Sequence, residues 1–282
     1  MLTRIITGAV ALIIFVPVLF FSHTAIFDIV IALLSLLGTM ELLKCMGIVK
    51  REKYIIVVPS CVVACAIPLI IRYARTEVMF LILSAYLFFL LYTSVFVRQH
   101  VSTSDIALSF FSTVYVTIAF ASILIARNLE YGEIIYLMIF VGAWSTDTFA
   151  YFTGRLFGRN GKHKLMPDIS PKKTVEGAIG GVVFCSLAFV LVGFIVSVTY
   201  RFDAEPNYIL LAIAGVIVSI VAQLGDLSAS AIKRNYNAKD FGAIFPGHGG
   251  ILDRFDSVMG VAPMIMIIGT LMSEFEGYGF FM

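Results

Sequence analysis

The chain carries little charge. Asp, Glu, Lys and Arg make up 13% of its 282 residues, where a soluble domain carries about 25%. Hydrophobic residues reach 60%, and mean hydropathy is +0.99. That balance excludes an ordinary soluble domain and leaves a multi-span integral membrane protein. With a net charge of only +2, it also offers no broad basic face for nucleic acid. Cysteine is scarce, at four residues, and Cys45, Cys61, Cys65 and Cys185 show no paired spacing. Cys61 and Cys65 stand four apart with no His or second Cys pair nearby, so a zinc site is not supported. They read as small buried hydrophobes. There is no convincing Ser/His/Asp or Cys/His arrangement, which argues against a side-chain nucleophile. Internal repeats and low-complexity segments are absent too.

What is present is a series of apolar runs. Nine are long enough to span a bilayer, near residues 5–22, 25–43, 54–71, 78–97, 105–126, 134–152, 175–199, 208–229 and 254–272. The expected fold class is all-α, a polytopic helical membrane protein with about nine transmembrane helices. Arg4 followed by an apolar run resembles a signal peptide. The run is long, however, and Leu19–His23 is a poor small-residue cleavage site, so a retained first helix is expected. With the N-terminus in the cytoplasm, all the Lys and Arg residues except Arg72, Arg75, Arg127 and Arg201 fall on the inside. That bias follows the positive-inside rule and places the C-terminus outside. Residues 1–130 read as N-terminal scaffold helices that face lipid or an oligomer interface, which allows for a homodimer. Pro17, Pro59 and Pro68 there kink helices or mark their ends. Glu41 and Lys44 sit near a span end, where both can snorkel to water. Residues 131–282 read as the catalytic membrane region.

Chemistry gathers in three stretches of that second region. Gln223–Ser257 holds four aspartates, four Lys/Arg and Pro246-Gly247-His248-Gly249-Gly250 between apolar segments. Charges cost roughly 2.5–3.5 kcal/mol each at the centre of a membrane helix, so a polar island demands a reason. Gln223, Asp226, Ser230 and Lys233 share one helical face by spacing. Asp253 and Asp256 share another if a helix has begun there, with Arg254 between them. The glycines let backbone N–H groups approach an oxyanion. Upstream, Trp144, Asp147, Tyr151, Gly154 and Gly158 fall at helical spacing. An acid within a membrane helix is a functional candidate by default, whereas Gly154 and Gly158 suit close helix packing. Between these lies Ser170–Gly181, SPKKTVEGAIGG. Thr174 is the expected N-cap of the following helix with Glu176 in its first turn. Lys172 and Lys173 beside that helix start suit phosphate. Arg159, Lys162 and Lys164 read as anchors against anionic lipid.

Hard oxygen ligands without a Cys/His cluster point to Mg²⁺, which one or two carboxylates hold together with substrate phosphates. Asp226 and Asp253 could come together from two helices, with Asp256 or Asp147 as further oxygens. The set suits phosphoryl or nucleotidyl transfer between a water-soluble phosphate compound and a lipid.

The run SAIKRNYNAKDFGAIFPGHGGILDRFD, from Ser230 to Asp256, resembles the signature of the phosphatidate cytidylyltransferase (CDP-diacylglycerol synthase) family. Asp147 with Tyr151 and Gly154, SPKKTVEG from Ser170, and Leu224-Gly225-Asp226 resemble that family's other segments. Val175 departs from the Trp common there. The likeness covers Trp144–Ser257. It implies the reaction CTP + phosphatidate → CDP-diacylglycerol + pyrophosphate, with Mg²⁺ and room for a second, monovalent ion such as K⁺. It also implies Asp226 and Asp253 as the metal-binding pair. By their chemistry, Asp256 would orient that metal site or bind a second ion. Arg254, Lys233 and Lys239 would balance phosphate charge. Lys172, Lys173, Ser170, His248, Gly249, Gly250 and Asp147 would contact substrate. Expected partners are CTP, phosphatidate and membrane lipids, but no nucleic acid. The expected location is a bacterial plasma (inner) membrane with the active site facing the cytoplasm. Two other readings stay open from sequence, a CTP-dependent polyprenol or phytol kinase and a cation-coupled secondary transporter.

Overall fold

The computed structural model describes residues 13, 15–74, 76–158, 163–199, 205–245, 247, 249–274 and 279–281. Among them, eight helices are long and apolar enough to cross a membrane. They match the last eight expected spans in order, and the chain is a polytopic membrane protein of the all-α class. Half of the first expected span, residues 5–12 and 14, lies outside the described residues. Long helices follow from the solvent, because a backbone in hydrocarbon must satisfy its N–H and C=O groups within itself. Two compact units form, Met1–Ile125 with Lys233–Phe255 and Ala126–Ile232 with Asp256–Met282.

The first unit contains α1 (Ala25–Cys45), α2 (Tyr54–Ile71), α3 (Thr76–Phe96) and most of α4 (Thr103–Asn128). Pro59 and Pro68 lie inside α2. Polar side chains tie these helices together. Ser60 Oγ and Tyr86 Oη lie 2.6 Å apart, and Tyr86 Oη reaches Thr113 Oγ1 at 3.1 Å. Arg72 pairs with buried Asp28 at 2.9 Å, and Lys53 pairs with Asp105 at 2.6 Å. Gly38 lets α1 lie close against Val116 of α4 and Leu252.

The second unit contains α5 (Gly132–Phe157), β1 (Lys164–Met166), β2 (Ser170–Thr174), α6 (Val175–Thr199), α7 (Tyr208–Asn235) as far as Ile232, and α8 (Leu252–Glu274) from Asp256. Small residues set its packing. Gly154 and Gly177 bring α5 and α6 close enough that an added Cβ on Gly154 would lie 3.4 Å from Gly177 Cα. Gly225 of α7 meets the backbone of Asp256 and Gly260 of α8 in the same way. Thr146 Oγ1 donates to Ser219 Oγ at 3.0 Å, a buried bond between α5 and α7.

The loop expected between α5 and α6 contains a hairpin. β1 and β2 pair antiparallel, Lys164 opposite Thr174 and Met166 opposite Ser170. The Val175 N–H closes it onto His163 O at 2.9 Å, and His163 Nδ1 lies 2.6 Å from Glu176 Oε1. As expected, Thr174 caps α6, its Oγ1 accepting from the Gly177 N–H at 3.1 Å.

Candidate active site

The second unit encloses a cavity of about 640 Å³, within the range of small-molecule sites, roughly 300–1,000 Å³. Three elements give it chemistry. From α5 come Asp147, Tyr151, Gly154 and Arg155, from the hairpin Lys164, Lys172 and Lys173, and from α7 Gln223 and Asp226. The spacing that put Asp147, Tyr151 and Gly154 on one face of a helix, and Gln223 with Asp226 on another, is realised here.

Asp226 is held from two sides. Lys173 Nζ lies 2.7 Å from Oδ2, and Ser230 Oγ donates to Oδ1 at 3.3 Å. The paired side chains are 25% and 23% exposed. An ion pair so open to solvent contributes about 1 kcal/mol or less, so a substrate phosphate can take over Lys173 at small cost. Asp147 Oδ2 accepts from Ser257 Oγ at 2.8 Å. The neighbouring Asp256 turns its Oδ1 back to the Ser257 N–H at 3.0 Å. Arg155 Nη1 donates to Tyr151 Oη at 3.2 Å. Lys172 is exposed, and its side chain makes no hydrogen bond or ion pair among the described residues. Four cationic side chains and two carboxylates thus line one cavity, a balance that suits a polyphosphate.

No group of three or more His, Cys, Asp and Glu with metal-binding geometry occurs among the described residues. Two carboxylates without a complete protein cage fit Mg²⁺, which keeps open positions for substrate phosphates and water. They do not fit zinc, for which neither Cys nor His lines the cavity.

Several residues grouped from sequence lie elsewhere. Lys233 does not extend the Gln223–Asp226 face toward the cavity but belongs to the first unit. There its Nζ lies 2.7 Å from Asp253 Oδ1, with both side chains buried. Lys233 also sits 5.0 Å from the Phe241 ring centroid. Asp253 Oδ2 accepts the N–H groups of Phe241 and Gly250 at 2.8 and 2.9 Å. One glycine of the expected cradle meets an oxyanion of the protein itself, the Gly250 N–H donating to Asp253 Oδ2. Gly249 has a φ of +83°, the left-handed region that favours glycine. Ser170 pairs within the hairpin and does not line the cavity. Arg254 and Lys239 are exposed, and His248 lies outside the described residues. Helix α8 begins at Leu252, so Asp253 and Asp256 do share its first turns.

Arg155 and Lys164 are cavity residues that charge counting alone hides among lipid anchors. The signal for Lys164 is local. Pro167-Asp168 is turn chemistry between two short polar runs, and a hairpin there folds Lys164 back beside Thr174.

Lys172→Ala tests the basic wall without disturbing a protein contact. Losing a charge-assisted hydrogen bond costs about 1.5–3 kcal/mol, so KM for CTP or phosphatidate, the substrates that the family resemblance implies, should rise about tenfold to a hundredfold. The thermal midpoint should not move. Unchanged saturation curves for both compounds would remove Lys172 from substrate binding.

Two carboxylates and four cationic side chains around this cavity on membrane helices suit the handling of a phosphate compound, and comparison with known proteins defines the class. The Cytidylyltransferase family model matches residues 2–272, and the chain belongs to that family. It is similar to proteins named phosphatidate cytidylyltransferase. Against that of Staphylococcus haemolyticus (strain JCSC1435) it is 39% identical over 273 residues, covering 95% of this chain and 98% of the relative. Against that of Staphylococcus aureus (strain COL) identity is 37% with the same coverage. Against that of Staphylococcus saprophyticus it is 39% over 274 residues, again 95% and 98%.

Proposed function

We infer that this chain is a phosphatidate cytidylyltransferase, a membrane nucleotidyltransferase that makes CDP-diacylglycerol for phospholipid biosynthesis. The observation that carries the reading is the cavity of the second unit, where Asp226, Asp147, Lys172 and Lys173 meet, in a chain 37–39% identical over 95% of its length to proteins of that name.

The chemistry needs no strong base. The phosphatidate phosphate is already ionised, and one of its oxygens attacks the α-phosphorus of CTP. The bond from that phosphorus to the bridging oxygen of the β-phosphate breaks, and pyrophosphate leaves with the electron pair. Catalysis of such a step is positioning and charge stabilisation. Lys172 and Lys173 hold phosphate oxygens, and Lys164 and Arg155 stand on the same wall to neutralise the polyphosphate. Asp226 would hold Mg²⁺, with Asp147 beside it and Asp256 supporting through the Ser257 turn. When bound, that ion supplies Lewis-acid neutralisation of the developing charge on phosphate. Asp253 is the second ligand that the family resemblance implies, and its engagement with Lys233 makes its role separately testable.

The positive-inside count supports an active site on the cytoplasmic face, where CTP is found, and the bacterial relatives support a plasma membrane. Purified protein given CTP, phosphatidate and Mg²⁺ should release pyrophosphate only when both substrates are present, and a chelator should stop it. Transport of a solute into proteoliposomes with no pyrophosphate from CTP would contradict the reading and favour a transporter.

A further inference from the structure

Glu41 lies on α1, 210 residues before the segment it touches, and it does not snorkel. The residue is 4% exposed. Its Oε1 accepts the Ile251 N–H at 2.9 Å and its Oε2 accepts the Leu252 N–H at 3.0 Å. Those donors open α8, where the first N–H groups of a helix lack intrahelical partners and the dipole favours a negative charge. Gly242 and Gly250 lie against the same carboxylate, and a Cβ on either would collide with it. Asp253 takes the Phe241 and Gly250 N–H groups. The loop from Phe241 to Leu252 is therefore hung by four backbone N–H groups on two buried carboxylates, with Lys233 as the buried counter-charge. A carboxylate serving only as an ordinary helix contact would not need two glycines cleared around it.

We propose that Glu41 is a positioning residue for the transfer reaction, fixing the Gly249–Asp253 turn and the start of α8. This rests on the cytidylyltransferase reading. It gives the N-terminal helices a part in the chemistry beyond scaffold, because α1 sets the backbone from which Asp253 projects. Of the two carboxylates that hang this loop, Glu41 alone takes the Ile251 and Leu252 N–H groups, so the start of α8 loses its register when one of its acceptors becomes a donor. Errors of about 1 Å in such placements cost about a hundredfold in rate.

Glu41→Gln keeps the volume and turns one acceptor into an NH₂ facing a backbone N–H. Per folded enzyme, kcat should fall about tenfold to a hundredfold, with KM for both substrates little changed. The amides of Ile251 and Leu252 should exchange hydrogen faster. Gly242→Ala, which pushes a methyl group into the same carboxylate, should give the same kinetic pattern and decides the matter if Glu41→Gln fails to fold. An unchanged kcat per folded enzyme, with only yield or thermal midpoint reduced, would make Glu41 purely structural and overturn the proposal. So would unchanged exchange at Ile251 and Leu252. The exchange measurement needs no activity, so it still reports on Glu41 if the native chain proves to lack cytidylyl transfer.

Discussion

Asp226→Asn should lower turnover at saturating CTP and phosphatidate by about a thousandfold or more, while the protein stays folded and inserted. The carboxylate is the one acid in the cavity that is paired directly to a lysine, Lys173 at 2.7 Å. Asn preserves its shape and its contact with Ser230 but removes the charge that would hold a divalent ion. Loss of a group that acts on charge developing in the transition state costs about 10²–10³ even for a single neutral donor. The structural cost is small, because Lys173 and Asp226 are both partly open to water and such pairs contribute little. Turnover, retention time on size exclusion and thermal midpoint in detergent check the three parts. Activity within a few-fold of the native enzyme would remove Asp226 from the metal site.

Asp253→Asn should behave differently. Its carboxyl side chain is 4% exposed and Lys233 beside it 10%. Removing one partner of a buried pair leaves the other charge uncompensated, at a cost of about 3–5 kcal/mol. The thermal midpoint should therefore fall clearly, along with activity. The double variant Lys233→Met/Asp253→Asn removes both charges and should recover much of the lost midpoint, since an apolar substitute for a buried pair is often neutral. If Asp253 also ligates the metal, activity should stay low in that recovered protein. Activity returning together with stability would limit Asp253 to holding the 241–250 loop.

The helices were legible in the sequence because hydrocarbon enforces a single rule over long stretches. Eight runs placed by hydropathy correspond to eight helices, and Thr174 caps α6 where its position before Val175-Glu176 predicts. The face carrying Asp147 and Tyr151, and the pair Gln223 and Asp226, followed from the 3.6-residue period. Lys233 did not, because helical spacing states which side chains share a face but not where a long side chain ends. Its terminal nitrogen reaches Asp253, a choice set by burial that no local pattern encodes. Glu41 was missed for a related reason. A single acid near a span end looks like a residue reaching for water, and its true partners are backbone groups 210 residues away. Gly250, which lies against the carboxylate, reads from sequence with Gly247 and Gly249 as a ligand cradle. The hairpin escaped because Lys164–Thr174 is too short and too polar to show an alternating apolar pattern, leaving only Pro167-Asp168 as a signal.

The central claim is that a lipid phosphate attacks the α-phosphorus of CTP. Parallel reactions with CTP labelled at the α-phosphate or at the γ-phosphate test it most directly. Cytidylyl transfer predicts α-label in the lipid product and γ-label in pyrophosphate. Recovery of γ-label in the lipid, with α-label only in CDP, would contradict it and identify a CTP-dependent lipid kinase.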